Sequence, residues 1–151
     1  MNKERYQVIS KSNHLDFEFE SEGPRGRIKK AIIYRPHNVD GITYFNLGFG
    51  NWNDDTKEID DKAISNNLDR DKILVTVAVS VLEFTKGFPD MPVFIEGSTP
   101  ARTRLYQMGI SANMSEIETV LKVYGRQDGE WKPFRKNVNY DAFMAWRKHN
   151  T

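Results

Sequence analysis

Cysteine is missing from the chain, which excludes disulfide bonds, thiolate metal sites and a cysteine nucleophile. Long apolar runs are missing too, since no stretch approaches the roughly 18 apolar residues of a transmembrane helix. The first residues are polar and lead into polar sequence, whereas a secretory signal peptide has an apolar central region. We therefore expect a cytoplasmic protein with no membrane partner.

An excess of charge of one sign is also missing, because 22 Lys and Arg residues accompany 21 Asp and Glu residues and the formal net charge is +1. The chain is nevertheless rich in aromatic residues, with nine Phe, six Tyr and three Trp, and a disordered chain would have few of them. A length of 151 residues suits one domain with a sizeable core. We predict a single globular domain over residues 1–151.

Alternating apolar and polar residues predict several strands. Residues 15–20 place their apolar side chains on one face and their acids on the other, which is the period of a half-buried strand. Residues 27–35 and 42–52 are β-prone runs separated by turn residues, and the second run is strongly aromatic. Residues 120–125 and 130–135 flank an Asp-Gly turn, which is typical of a hairpin.

Helix signals follow the strands. The strongest covers residues 70–86, between the capping residue Asp69 and the stop at Gly87, and its apolar residues lie on nearly all sides. A short helix is predicted over residues 99–108, and a C-terminal helix over residues 140–148. We therefore predict an α+β fold, in which an antiparallel sheet wraps around the long apolar helix and the two other helices pack beside it.

Candidate groups for catalysis and metal binding are sparse. The three histidines, His14, His37 and His149, lie in separate segments with no serine or aspartate arrangement that the sequence can orient. The carboxylates of Asp54 and Asp55 lack the central glycine and distal glutamate of a calcium-binding loop. We predict no catalytic residue, no metal ligand and no cofactor, and favour a protein that is not an enzyme.

The most specific local pattern is a turn that leads into a capped helix, Gly97-Ser98-Thr99-Pro100. Thr99 is predicted as the N-cap, with a proline at the first helical position. Free backbone N–H groups and the hydroxyls of Ser98 and Thr99 can together hold an anion. Helical spacing places Arg102 one turn inside, with Tyr106 beside it for stacking. These four residues form the predicted ligand-binding site.

A plainer interpretation of the same helix stays open. Thr99 then only caps the helix, which is far more common than anion binding, and Arg102 pairs with Glu96. The same spacing places Arg104 near the core face, where we expect it to be structural. Glu83, within the apolar helix, is its candidate partner, because a buried carboxylate needs one.

A second, weaker candidate is a basic and aromatic strand surface formed by Arg27, Lys29, Lys30 and Tyr44. Surfaces of this kind bind single-stranded nucleic acid through charge and base stacking. Several antiparallel strands followed by one long helix is also the arrangement of single-strand binders of the PUR and whirly type. This likeness is one of fold and carries no functional residue.

Residues 97–110, GSTPARTRLYQMGI, resemble the signature of a family of small, uncharacterised bacterial proteins of similar length. The resemblance extends to residues 17–24, residues 59–62, Asn66-Asn67 and the aromatic C-terminal segment, so it spans most of the chain. It implies a single domain of unknown function. It implies no catalytic residue.

Three functional hypotheses follow. The leading one is a non-enzymatic binding protein for a phosphate-bearing partner, either single-stranded nucleic acid or a nucleotide-like ligand. The second is a protein-interaction module, such as a homodimer or a toxin-neutralising partner, that uses the aromatic sheet edge near Trp52 or Trp131. The third is a small hydrolase or nuclease.

Overall fold

A computed structural model describes residues 3–11, 15–60 and 67–149. The strands in this part of the chain are β1 (Ile9–Ser10), β2 (Asp16–Gly23), β3 (Gly26–Val39), β4 (Ile42–Asn53), β5 (Glu58–Asp60), β6 (Val93–Ile95), β7 (Leu121–Gln127), β8 (Glu130–Pro133) and β9 (Ala142–Arg147). The helices are α1 (Arg70–Gly87), α2 (Pro100–Ala112) and α3 (Met114–Ile117).

All nine strands belong to one mixed sheet with the order β1-β2-β3-β4-β6-β9-β7-β8, and β5 pairs with the end of β4. The β4–β6 pairing is parallel and the others are antiparallel. A parallel pair requires a long crossover connection, and α1 lies within it. The sheet therefore consists of two antiparallel halves, β1–β5 and β6–β9, joined where β4 meets β6.

The prediction of an antiparallel sheet wrapped around a long apolar helix is wrong, because the sheet is mixed and open. α1 faces the sheet with one buried stripe that includes Val77, Val81 and Phe84. Other apolar residues of the helix, such as Val79 and Leu82, are only half-buried, and Glu83 is exposed. The apolar residues off the stripe therefore do not require a sheet that surrounds the helix.

The predicted C-terminal helix is also wrong, because residues 142–147 form strand β9. This strand lies inside the sheet, between β6 and β7. Phe143 and Ala145 are buried on one face, whereas Met144 and Trp146 are half-buried on the other. Aromatic residues such as Phe143 and Trp146 fit a half-buried pleated surface well, and hydrogen bonding to two neighbouring strands decides against the helix.

The sheet has two different faces. The inner face carries the core side chains, and the buried stripe of α1 packs against it. At its centre the ring of Tyr34 stacks on that of Phe84 with 4.0 Å between centroids. Burial raises the pKa of Tyr34, so its hydroxyl stays protonated and shares a 2.8 Å hydrogen bond with Ser80 Oγ.

A buried polar network ties the start of α1 to the first strands. The carboxylate of Asp69 accepts hydrogen bonds from the Tyr6 hydroxyl, at 2.5 Å, and from Ser21 Oγ. Asn67 Nδ2 donates to Ser21 Oγ at 3.1 Å and to the Gly26 carbonyl at 3.0 Å. Burial and the hydrogen bond to Asp69 raise the pKa of Tyr6. Asp69 thus anchors three segments that are distant in sequence.

Asp69→Ala is expected to lower the free energy of unfolding by about 2–4 kcal/mol, because two buried hydroxyls lose their acceptor. The matched control is Asp71→Ala, whose side chain is 89% exposed and pairs with Arg70 at 3.6 Å. Surface pairs of this kind contribute about 0–1 kcal/mol. Urea unfolding of both variants measures the difference, and equal losses would contradict the anchoring role of Asp69.

Candidate functional site

The outer face of the sheet, opposite the helices, carries a group of large side chains. We call it the outer aromatic face, and it consists of His37, Tyr44, Phe94, Tyr124, Trp131, Met144 and Trp146. Strand pairing places these residues side by side, since His37 is opposite Tyr44, and Met144 is opposite both Phe94 and Tyr124. The described helices all lie against the inner face, so this surface faces away from them.

The rings of the outer aromatic face are in contact across the sheet. His37 stacks on Tyr44 at 5.5 Å, and Tyr44 lies 5.7 Å from Phe94. Phe94 meets Trp131 edge to face at 6.2 Å and 77°. A second stack joins Tyr124 to Trp146 at 4.9 Å. The row from β3 to β8 crosses six strands, or about 24 Å at the usual spacing of about 4.8 Å.

A small residue makes this row continuous. Arg126 is paired with Ala142 on one side and with Trp131 on the other, and Ala142 is fully buried. The side chain of Ala142 is small, so Trp131 can extend over this part of the sheet. It thereby reaches Phe94, although β8 and β6 are not neighbours. Trp131 itself remains 40% exposed.

Arg126, on β7 beside the edge strand β8, is a cation in contact with this surface. Its guanidinium carbon lies 5.6 Å from the Trp131 centroid and 5.9 Å from that of Phe94, within the range of cation–π attraction. Nε donates to Asp141 Oδ1 at 2.7 Å, and Nη2 donates to Glu96 Oε2 at 2.9 Å. The hydrogen bond to Asp141 is the main cause that raises the pKa of Arg126.

Two further cations flank the aromatic rows. Arg35 is exposed and lies opposite Asn46 in the strand pairing. Asn46 follows the core residue Phe45 in β4. Lys122 is exposed and is paired with Trp146. The outer aromatic face therefore has positive charge near both of its sides.

The predicted basic strand surface is not brought together. Arg27 pairs with Glu22 at 3.5 Å, and Lys29 pairs with Glu18 at 3.6 Å. Lys30 instead lies on the inner face, where it is buried and donates to Asn51 Oδ1 at 2.6 Å. Burial lowers the pKa of Lys30.

Tyr44 is the one member of that predicted set that lies on the outer aromatic face. The set was chosen from two neighbouring runs of sequence, and alternate residues of a strand point to opposite faces. Arg27 and Lys29 share the outer side with Tyr44 but lie at the opposite end of β3 from its partner His37, where acids and bases pair. The four residues therefore do not form one surface.

The turn before α2 opens onto a polar cavity of about 370 Å³. Its lining includes Glu96, Ser98, Thr99, Arg104, Gln107 and Asp141. Thr99 caps the helix as predicted, and its Oγ1 accepts a 3.2 Å hydrogen bond from the Arg102 amide. The two carboxylates make this cavity a poor fit for the predicted anion.

The other two predicted ligand-binding residues lie elsewhere. Arg102 is half-buried and close enough to Lys30 to help lower the pKa of that amine. Tyr106 packs against the apolar core. The structure thus brings Ser98 and Thr99 together at the cavity and adds Arg104 to them, while Arg102 and Tyr106 do not line it.

The orientation of α2 explains why Arg104 lines the cavity and Arg102 does not. Thr103 and Gly109 are its buried residues, and Tyr106 lies between them on the side that meets the core. A Cβ on Gly109 would lie only 3.2 Å from Leu74 Cβ, so the two helices approach closely there. The core side is rotated from the predicted one, which leaves Arg104 exposed.

The two predicted ion pairs are Glu83 with Arg104 and Glu96 with Arg102. Glu83 and Arg104 are both exposed, so the expected burial of the carboxylate is wrong. Glu96 accepts its hydrogen bond from Arg126, thirty residues away in sequence. The pairing of Glu96 depends on strands that the local pattern around residue 96 does not reveal.

Sequence reasoning missed most of the outer aromatic face. The helix predicted over residues 140–148 hid the alternation that places Met144 and Trp146 on one side of β9. The Asp-Gly hairpin did indicate that Trp131 lies next to β7. The place of Phe94 among these residues depends on the parallel pairing of β6, which has no local signal.

The model of a family of unknown function, DUF6934, matches residues 2–148. The chain belongs to this family. The resemblance carried by residues 97–110 is thereby confirmed, and the family description assigns no activity or ligand. No curated protein and no solved structure matches the chain. The functional argument for this DUF6934 member therefore rests on its geometry.

Two further observations concern the described residues 3–11, 15–60 and 67–149. They contain no group of three or more His, Cys, Asp and Glu residues that could hold a metal ion. No helix among them is long and apolar enough to cross a membrane.

Thr99→Ala is expected to lower the free energy of unfolding by about 1 kcal/mol, the usual loss for an N-cap hydroxyl. Thr99→Ser keeps the hydroxyl that accepts from the Arg102 amide and is expected to retain most of the stability. Urea unfolding of the two variants measures this difference. If serine were as destabilising as alanine, the capping role of the hydroxyl would be refuted.

Proposed function

We propose that the protein binds single-stranded nucleic acid on the outer aromatic face. The observation that carries this proposal is the continuous row of rings from His37 to Trp131 on the side of the sheet away from the helices. Aromatic side chains on a sheet stack with exposed bases, and each stack contributes about 1–3 kcal/mol to binding. Every base has a π-face, so such binding tolerates many sequences.

The shape of the surface favours a single strand over a duplex. In a duplex the flat faces of the bases are stacked on one another, and only their edges are open in the grooves. The rings of the outer aromatic face lie across a broad sheet, where they can meet unstacked bases. A strand laid across β3 to β8 would meet Phe94 near its middle and Trp131 at one end.

Charge supports the same ligand. Arg35 and Lys122 flank the rings, and Arg126 lies among them. At the other end of β3 the outer cations have carboxylate partners, such as Glu18 for Lys29 and Glu22 for Arg27. Arg35 and Lys122 are exposed cations that would attract phosphate groups to the outer aromatic face.

A protein-interaction module is the second candidate. Tyr, Trp, Phe, Met and Arg are the residues enriched in protein interfaces, and all five types occur on this face. Trp131 is 40% exposed at the edge of the sheet, which would suit a second copy of the chain. This candidate differs from the first in needing no phosphate and in changing the oligomeric state.

Fluorescence anisotropy with a labelled oligothymidine of about 15 nucleotides tests the proposal. We expect binding that weakens steeply from about 50 mM to about 200 mM salt. Phe94→Ala and Trp131→Ala should each weaken binding about 5- to 100-fold, because each removes a stacking partner. The matched control is Trp52→Ala, since Trp52 lies on β4, about 26 Å along the strand from Tyr44.

The outcome that contradicts the proposal is equally specific. Equal affinity for duplex DNA of the same length, or an equal loss in Trp52→Ala, would exclude stacking on the outer aromatic face. Absence of binding at low salt, together with a concentration-dependent dimer that Trp131→Ala abolishes in sedimentation, would support the protein-interaction module instead.

A further inference from the structure

Arg126 contacts Phe94 and Trp131 of the outer aromatic face but is already held by two carboxylates. Its Nε–H is directed to Asp141 and one of its Nη2–H groups to Glu96. The side chains of Arg126, Glu96 and Asp141 are 30%, 42% and 63% exposed. The cluster is therefore in contact with solvent, and its ion pairs are of the weak, exchangeable kind found at protein surfaces.

We propose that Arg126 is the phosphate-binding residue of the outer aromatic face, and that Glu96 and Asp141 are built-in competitors for its guanidinium. This inference rests on the proposed function and deepens it. It assigns the strength of nucleic-acid binding to an ion-pair cluster, in addition to the aromatic rings.

The geometry of the guanidinium supports this role. Arginine has five N–H groups in a planar fork that suits a phosphate or a carboxylate through two parallel hydrogen bonds. Asp141 and Glu96 take two of these five N–H groups, one on Nε and one on Nη2. A phosphate must therefore share the guanidinium with the carboxylates or displace one of them.

The net charge of the cluster also opposes phosphate binding. Two carboxylates and one guanidinium leave this cluster with a net negative charge, which repels a nearby phosphate. The position of Arg126 over Phe94 and Trp131 is also where a stacked nucleotide would bring its backbone. The carboxylates therefore weaken binding at the point where the rings favour it.

Glu96→Gln and Asp141→Asn test this inference, because each removes one negative charge and keeps the shape of the side chain. In the oligothymidine assay each is expected to raise the affinity about 3- to 10-fold at low salt, and Arg126→Ala to lower it and reduce the salt slope by about 1. The matched charge control is Glu20→Gln, on the outer side of β2 and distant from Arg126.

A double-mutant cycle separates the competitor role from a general charge effect. In the Arg126→Ala background, Glu96→Gln and Asp141→Asn are expected to change the affinity no more than Glu20→Gln does. An equal gain in that background would overturn the inference, and so would a loss of affinity in the single variants, since the carboxylates would then position Arg126 for the ligand.

The failure of this inference can be told apart from the failure of the proposed function. If the wild-type protein binds, Phe94→Ala weakens binding and the carboxylate variants have no effect, the inference alone fails. If neither the wild-type protein nor the carboxylate variants bind at low salt, both fail. Circular dichroism of each variant verifies that the fold is retained.

Discussion

The parallel pairing of β4 with β6 is the contact on which the rest of the structure depends. It involves two registered pairs, Phe45 with Val93 and Asn46 with Phe94, and a 2.9 Å hydrogen bond from the Phe45 amide to the Pro92 carbonyl. This short joint makes one sheet out of two antiparallel halves. On the inner face it completes the core beneath α1, and on the outer face it brings Tyr44 beside Phe94.

Local features of the fold follow from local sequence. The alternation around Phe17, the Asp-Gly hairpin and the cap at Thr99 each depend on a few neighbouring residues, and each is found in the structure. Features that depend on distant partners do not follow. Residues 142–147 become a strand because β6 and β7 lie on both sides of them, and no pattern within the segment reveals those neighbours.

The candidate site could be predicted only in part for the same reason. The hydroxyls of Ser98 and Thr99 do line a cavity, but the arginine beside them is Arg104, because close packing of Gly109 on Leu74 sets the rotation of α2. The outer aromatic face combines residues from β3 to β8. Its chemistry is visible in the aromatic content of the chain, whereas its position depends on the order of the strands.

The crossover through α1 has a consequence for how the protein folds. Hairpins such as β3–β4 and β7–β8 close short loops, whereas Asn46 and Phe94 must meet across a long stretch of chain, and the entropy lost on closure increases with loop length. Non-local pairings of this kind slow folding. The pairing of β6 with β9 also spans a long stretch of chain, since Val93 lies opposite Ala145. We therefore expect the hairpins to form before β6 joins its two neighbours, so that the outer aromatic face is a late product of folding.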